Sequence, residues 1–187
     1  VHKIPDDFTY EQGALVEPAA VAVYAVQQSG LSAGDTVLVS GAGPIGLLCV
    51  QAALAFGATK VFVSDMSEPR LAMAKKVGAT QVFKASDTDI PQQIKNLTGL
   101  GVDIFIDAAG VQASFSTGIA SLRNGGTAML VALFGKPVTH NALDQALREL
   151  TIKAIIGYRN VFPITIDLIH TGKMKVEQLV TKKIALD

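Results

Sequence analysis

The stretch "TVLVSGAGPIGLL", residues 36–48, decides the fold. Its first five residues form a short apolar run with β-branched side chains, which predicts a buried strand. Its last residues open an apolar helical run that continues to about Phe56 and stops at Gly57. Between the two stands Gly41-Ala42-Gly43-Pro44-Ile45-Gly46, a G-x-G-x-x-G turn. Glycine-rich turns are common, and one alone says little. Placed between a buried strand and a helix, each glycine has a physical use. Gly41 permits the tight turn, Gly43 lets a pyrophosphate approach the backbone, and Gly46 lets the helix pack close to the strand. Free N–H groups and the helix dipole then favour a diphosphate, and Pro44 near the helix start sacrifices no needed donor.

Working outward, apolar runs alternate with helical patterns. "KVFVSD" (60–65) is the next strand, followed by a helix with Ser67 as cap, Lys75 and Lys76 in its last turn and Gly78 as its stop. Further strands are expected at 80–84, 102–110, 126–135 and 152–158, with helices in the gaps and a last helix at 163–172. Strands this continuously apolar belong to a parallel sheet covered on both faces. Right-handed crossovers then leave an α/β fold: a doubly wound parallel six-stranded sheet of the Rossmann type, with helices on both faces. In "GALVEPAAVAVY" (13–24), Pro18 fits a first helical turn and Glu17 the cap before it, so a helix is expected to start there. The chain divides into an N-terminal arm (1–17), a dinucleotide-binding domain (18–170) and an exit segment (171–187).

The glycine turn needs an acid about 20 residues on, at the end of the next strand. Asp65 stands there, nineteen residues after Gly46. A carboxylate at this point accepts hydrogen bonds from the adenosine ribose hydroxyls and repels a 2′-phosphate, so NAD is favoured over NADP. Met66 follows it. Arg70 has two readings, a group that accommodates a phosphate or a solvated first-turn residue. Ligands in this fold lie at the carboxyl ends of the strands, which brings Ala108 of "DAAG" and Val131 to Leu133 beside the cofactor. Asp107 is either a polar group of the site or a cap for the segment after it. Val131 and Leu133 offer apolar surface to a nicotinamide ring or simply continue the sheet core.

Composition narrows the function classes. Hydrophobic residues are 49% of the chain, ample for a core, and Lys plus Arg equal Asp plus Glu at 16 each. No basic tract grips a phosphate backbone, so no nucleic acid partner is expected. The longest apolar run, about 46–58, is too short to span a bilayer, and no secretory pattern opens the chain, so a cytoplasmic protein is expected. Cys49, the single cysteine, lies in an apolar helical run and reads as a small core residue. His2, His140 and His170 are scattered without ligand spacing. The first residue is Val1 and not Met, which suggests a piece of a longer protein.

"LVEPAAVAVYAV", "GDTVLVSGAGPIGLL", "GATKVFVSDMSEPRLAMAKKVGAT" and "GVDIFIDAAG", in this order, resemble the zinc-dependent medium-chain alcohol dehydrogenases, in their butanediol and sorbitol (polyol) dehydrogenase branch. The resemblance covers essentially the whole chain. It implies a cofactor domain inserted in a separate catalytic domain, whose cysteine and histidine bind the catalytic zinc. Zinc is therefore expected in the full-length parent and not in this chain alone. It further implies NAD as cofactor, a small alcohol or diol as substrate, and a homo-dimer or tetramer paired through the sixth-strand edge. Gly41, Gly43, Pro44, Ile45, Gly46, Asp65, Met66, Arg70, Ala108, Val131, Leu133 and Arg159 are the expected cofactor contacts.

Glu17 matches the glutamate that lies at the zinc in the polyol branch, directly or through water. By that resemblance it is a catalytic residue and a metal ligand together with groups from the absent domain. The metal would act as Lewis acid on a bound alcohol, whose carbon then passes a hydride to NAD. On local physics alone Glu17 is a helix cap. Tyr158 and Arg159 match an aromatic-arginine pair near the diphosphate and the substrate cleft, and Arg159 alternatively is a surface residue. Two other classes stay open: a zinc-independent reductase of the same superfamily, and a non-catalytic NAD-sensing module.

Overall fold

A computed structural model of the chain describes residues 1–86 and 89–184. Six strands, β1 (Thr36–Ser40), β2 (Lys60–Asp65), β3 (Gln81–Lys84), β4 (Val102–Asp107), β5 (Leu122–Leu130) and β6 (Thr151–Ala154), form one parallel sheet in the order β3-β2-β1-β4-β5-β6. The helices are α1 (Tyr10–Ser29), α2 (Pro44–Ala55), α3 (Glu68–Lys76), α4 (Ile90–Thr98), α5 (Gln112–Ser121), α6 (Ala142–Leu147) and α7 (Phe162–His170), with a 3-10 turn at Val176–Leu179. This is the expected doubly wound architecture, and the strand order reverses between β1 and β4. The last three residues of the expected exit segment, 185–187, lie outside the described residues.

The apolar strand runs split between two cores by their period of two. Val37, Val39, Val61, Val63, Ile104, Ile106 and Met129 pack with buried residues of α1, α2, α3 and α7. Leu38, Phe62, Phe105 and Ala128 point the other way, onto Ile90 and Ile94 of α4 and the Leu122 region after α5. Each Val, Leu, Ile, Phe or Met side chain among these, fully buried, contributes about 1.5–3 kcal/mol. The α1–α2 contact is built largely of small residues: Ala19, Ala20, Ala22 and Ala25 are all fully buried. Cys49 of α2 is fully buried too, and burial pushes its thiol up to about 12, which makes it inert core as expected.

The start of α1 corrects the sequence reading. The helix begins at Tyr10, seven residues ahead of Glu17, and Pro18 lies inside it. Thr9 is the N-cap: its hydroxyl accepts from the Gln12 amide at 3.1 Å, while Gln12 Oε1 accepts from the Thr9 amide at 2.9 Å. This capping box satisfies two otherwise orphaned donors. It outranks the start that Pro18 marks, and tertiary packing absorbs the hydrogen bond that an interior proline forgoes. The helix also runs unbroken across the expected 17/18 boundary.

Several strand ends differ from expectation. β4 stops at Asp107, not Gly110, because the Asp107 carboxylate takes the Ala109 and Gly110 amides, each at 2.9 Å, and turns the chain. β5 starts earlier than expected and stops at Leu130, where the Val131 and Ala132 amides both donate to the Asp107 carbonyl. β6 ends at Ala154, ahead of Gly157 at φ 61°.

Two outcomes follow from this packing. A Cβ at Gly118 of α5 would stand 2.0 Å from the Phe105 ring, so Gly118→Ala is expected to destabilise by about 1–3 kcal/mol, read as a lowered melting temperature. Asp103, at the foot of β4, accepts from the Thr36 amide and hydroxyl, both at 2.8 Å, and from Arg123. Burial pushes its carboxyl up, but the Arg123 and Thr36 donors outweigh this and hold it below the usual carboxylate range. A depressed folded pKa adds stability above the unfolded value that disappears as pH falls through the folded one. Asp103→Asn is therefore expected to cost stability at neutral pH and progressively less below about pH 4, as urea unfolding at both pH values would show.

Candidate cofactor site

The site begins where β1 ends. Gly41 has φ 92° and its amide donates to the Ser64 carbonyl at 2.8 Å. A Cβ there would lie 2.9 Å from the Ala108 backbone, so this glycine serves both the turn and the close approach of β4. Gly43 is the N-cap of α2, extended at φ −72°, with no side chain capping the helix. A Cβ on Gly43 would meet nothing within 4 Å. A Cβ on Gly46 would stand 1.8 Å from the Gly41 carbonyl oxygen. The close packing at Gly46 is thus against the turn itself more than against the strand. Pro44 opens α2, exposed, and Ile45 is half-buried behind it. The uncapped N-terminus of α2 leaves its amides and its positive dipole end facing outward, which suits an anion.

Asp65 closes β2 and is buried. Its Oδ2 accepts from the Ala42 amide and its Oδ1 from the Ser67 amide, both at 2.7 Å. The carboxylate thereby clasps the glycine turn to the start of α3. Each oxygen keeps a lone pair for a further donor. Gly41, Gly43, Asp65, Met66, Arg70 and Ala108 share the wall of one cleft of about 370 Å³ with Ser40, Ser64, Val111, Ser114 and Thr117. Met66 and Arg70 are exposed at its lip. A larger cleft of about 560 Å³ beside Phe115, His140 and Arg148 gathers none of the predicted groups, and volume alone does not make a site.

The remaining predicted residues lie elsewhere. Val131 is half-buried against the α1–α2 core, and Leu133 is exposed. Arg159 is exposed and lines a separate cleft of about 470 Å³ with His2, Tyr158 and Phe162. Glu17 is exposed on α1. It neighbours Tyr158, whose phenol is pushed up by burial and further by the Glu17 charge. Two groups of residues therefore exist, one in the glycine-turn cleft and one around Glu17 and Tyr158.

Asp107, left open by the sequence, caps. It is fully buried, and besides the two amides it accepts from the Ser114 hydroxyl. Burial pushes its carboxyl above the usual range, against the pull of these donors. Sequence reasoning missed Ser114 and Thr117, whose spacing of three places both on the cleft side of α5; without knowing where α5 crosses β4, that spacing has no direction.

Glu17 offers a single oxygen donor side chain, and zinc needs three or four protein ligands. Among the described residues no three His, Cys, Asp or Glu side chains come together to hold a metal. His140 pairs with Gln145 at 3.0 Å, His170 with Asp7 at 3.2 Å, and His2 stacks on Phe162. The described residues thus do not form a zinc site by themselves. No helix among them is long and apolar enough to cross a membrane.

Comparison with known proteins finds relatives across nearly the whole chain. Residues 44–171 match the family described as zinc-binding dehydrogenase. The chain is 42% identical over 185 residues to (R,R)-butanediol dehydrogenase of Bacillus subtilis, covering 99% of this chain and 54% of that protein. The crystal structure of 2R,3R-butanediol dehydrogenase from Bacillus subtilis superimposes with a TM-score of 0.91 at 40% identity, over 96% of this chain and 52% of that one. Sorbitol dehydrogenase of Homo sapiens is 37% identical over 189 residues, covering 100% of this chain and 53% of that protein. A zinc-binding dehydrogenase structure from Sinorhizobium meliloti, bound to NADP, has a TM-score of 0.91 at 31% identity, over 96% of this chain and 54% of that one. The chain spans about half the length of the curated relatives it matches. It belongs to the zinc-binding dehydrogenase family.

Proposed function

We propose that this chain is the NAD-binding half of a zinc-dependent dehydrogenase that oxidises a secondary alcohol, a vicinal diol or a polyol, by hydride transfer to NAD. The observation that carries the reading is the single cleft in which the open face of Gly43, the Asp65 carboxylate and the end of β4 meet. Bound there, NAD accepts the hydride; the chain's own residues bind and orient it. The α2 amides take the diphosphate and Asp65 takes the adenosine ribose hydroxyls. Pro44, Ile45, Val131 and Leu133 flank the path from the diphosphate towards the nicotinamide, and Arg159 stands at the far cleft.

Glu17 and Tyr158 belong in this reading to the side that faces the catalytic domain, with Glu17 a zinc-site acid only when that domain supplies the other ligands. The N-terminal arm and exit segment support a common destination. Glu11 pairs with Lys183 and Gln12 hydrogen-bonds Glu177, so the two segments run together, while Asp7 of the arm meets His170 at the end of α7. β6 is one of the two edge strands of the sheet, β3 being the other, and Leu143, Leu147 and Ile156 are exposed. Pairing of two copies at that edge would protect an open strand.

NAD is preferred over NADP because Asp65 would meet a 2′-phosphate with its own charge in a buried setting. Arg70 stands in the same cleft, so the two residues compete to set the choice. Saturating NAD, at about 100 times its dissociation constant, should stabilise the fold by about 2.7 kcal/mol, raising the melting temperature more than NADP does at equal concentration. If NADP proves the better stabiliser, Asp65 does not act as proposed. The glycines separate packing from binding. Gly46→Ala is expected to lower the melting temperature sharply. Gly43→Ala should fold normally and bind NAD at least about tenfold more weakly, a loss of about 1.4 kcal/mol. Undiminished NAD affinity in Gly43→Ala would refute the diphosphate site.

A further inference from the structure

We infer that Asp107 is a positioning residue of the cofactor cleft, holding the turn after β4 and the Ser114 hydroxyl in the arrangement that forms the wall opposite Asp65. The inference rests on the reading of this cleft as the place of the adenosine half of a dinucleotide. Asp107 is fully buried and does not line the cleft, so it acts through what it holds. It sits in register with Ser40 of β1, at the point where the strand order reverses.

Its Oδ1 accepts from the Ala109 and Gly110 amides, each at 2.9 Å, and Ser114 Oγ lies 3.2 Å from Oδ1 and 3.0 Å from Oδ2. Its main-chain carbonyl meanwhile accepts from Val131 at 3.0 Å and Ala132 at 2.9 Å. Ala108, Ala109, Val111 and Ser114 all line the cleft. The turn they form, Ala108-Ala109-Gly110, has no large side chain with which to anchor itself, and Gly110 is at φ 71°. Apart from the Ala108 amide, which donates to Ser40 at 2.8 Å, the Asp107 carboxylate is the anchor.

A buried carboxylate is an expensive way to fill space. An apolar residue of similar size would leave the Ala109 and Gly110 amides without partners and the Ser114 hydroxyl with the Val111 carbonyl alone to donate to. What the carboxylate adds is a cleft wall already in place before a ligand arrives. The Ser114 proton is drawn towards Asp107 or the Val111 carbonyl, 2.9 Å away. The Ser114 oxygen accepts in turn from the Val111 amide at 3.4 Å, so the hydroxyl ties the turn to the start of α5.

The experiment titrates ADP-ribose, which carries the adenosine diphosphate half without nicotinamide, into the protein and its variants by calorimetry. It is run at a temperature where circular dichroism shows each fully folded. Asp107→Ala should bind about tenfold more weakly, as if one molecule in ten kept the wall formed. Asp107→Asn keeps an acceptor for Ala109 and Gly110 and should stay within about threefold of the unsubstituted protein. Val23→Ala, which hollows the α1 core away from the cleft, should lower the melting temperature and leave affinity unchanged. The inference is overturned if folded Asp107→Ala binds as tightly as the unsubstituted protein, or if Val23→Ala loses as much. Should Asp107→Ala not fold, Ser114→Ala decides: weakened binding supports the inference and unchanged binding refutes it. Absence of ADP-ribose binding by the unsubstituted protein would overturn the dinucleotide reading itself. Binding that is indifferent to Asp107 overturns only the positioning role.

Discussion

α2 can rise from the end of β1 only because nothing stands between the Gly41 carbonyl and the Cα of Gly46. That contact sets the height at which the helix begins and the direction in which its amides face. It also brings the turn against the Ala108 backbone, so that the first and second halves of the sheet meet without a side chain between them. The Asp65 clasp then fixes the turn from the other side, through Ala42. The cleft lies between these three contacts and the turn that Asp107 holds.

Much of this could be read from residues close together in the chain. The glycine turn, the strand before it and the helix after it are adjacent, and Asp65 follows at a spacing that one strand-helix-strand unit dictates. The two-faced sheet could be read too, because apolar runs too short for helices and too apolar for a half-solvated sheet leave little choice. Local punctuation was harder to weigh. "TYEQ" carries a capping box, yet Pro18 is the louder signal, and only the packing of α1 along α2 and α7 decides between them.

What could not be read depends on partners far apart in sequence. β4 and β5 end where they do because of hydrogen bonds that converge on one residue, Asp107, from 109–114 and from 131–132. Glu17 and Tyr158 are neighbours across most of the chain's length. No periodicity announces such a meeting. The separation of Arg159 from the glycine-turn cleft is of the same kind: its number in the chain says that it follows β6, not which cleft it reaches.

The strand order carries one more consequence. β1 pairs with β2 on one side and with β4 on the other, and residues 37 and 104 lie side by side although 67 positions separate them. The cleft takes Gly41, Gly43 and Asp65 from the first half and Ala108 and Ser114 from the second. Closing so long a loop is an entropic barrier that must be crossed before its contacts reward it. A nascent chain that has made β1 to β3 therefore has the glycine turn and its acid but no pocket. The cleft, and with it the binding proposed there, is completed only when β4 docks.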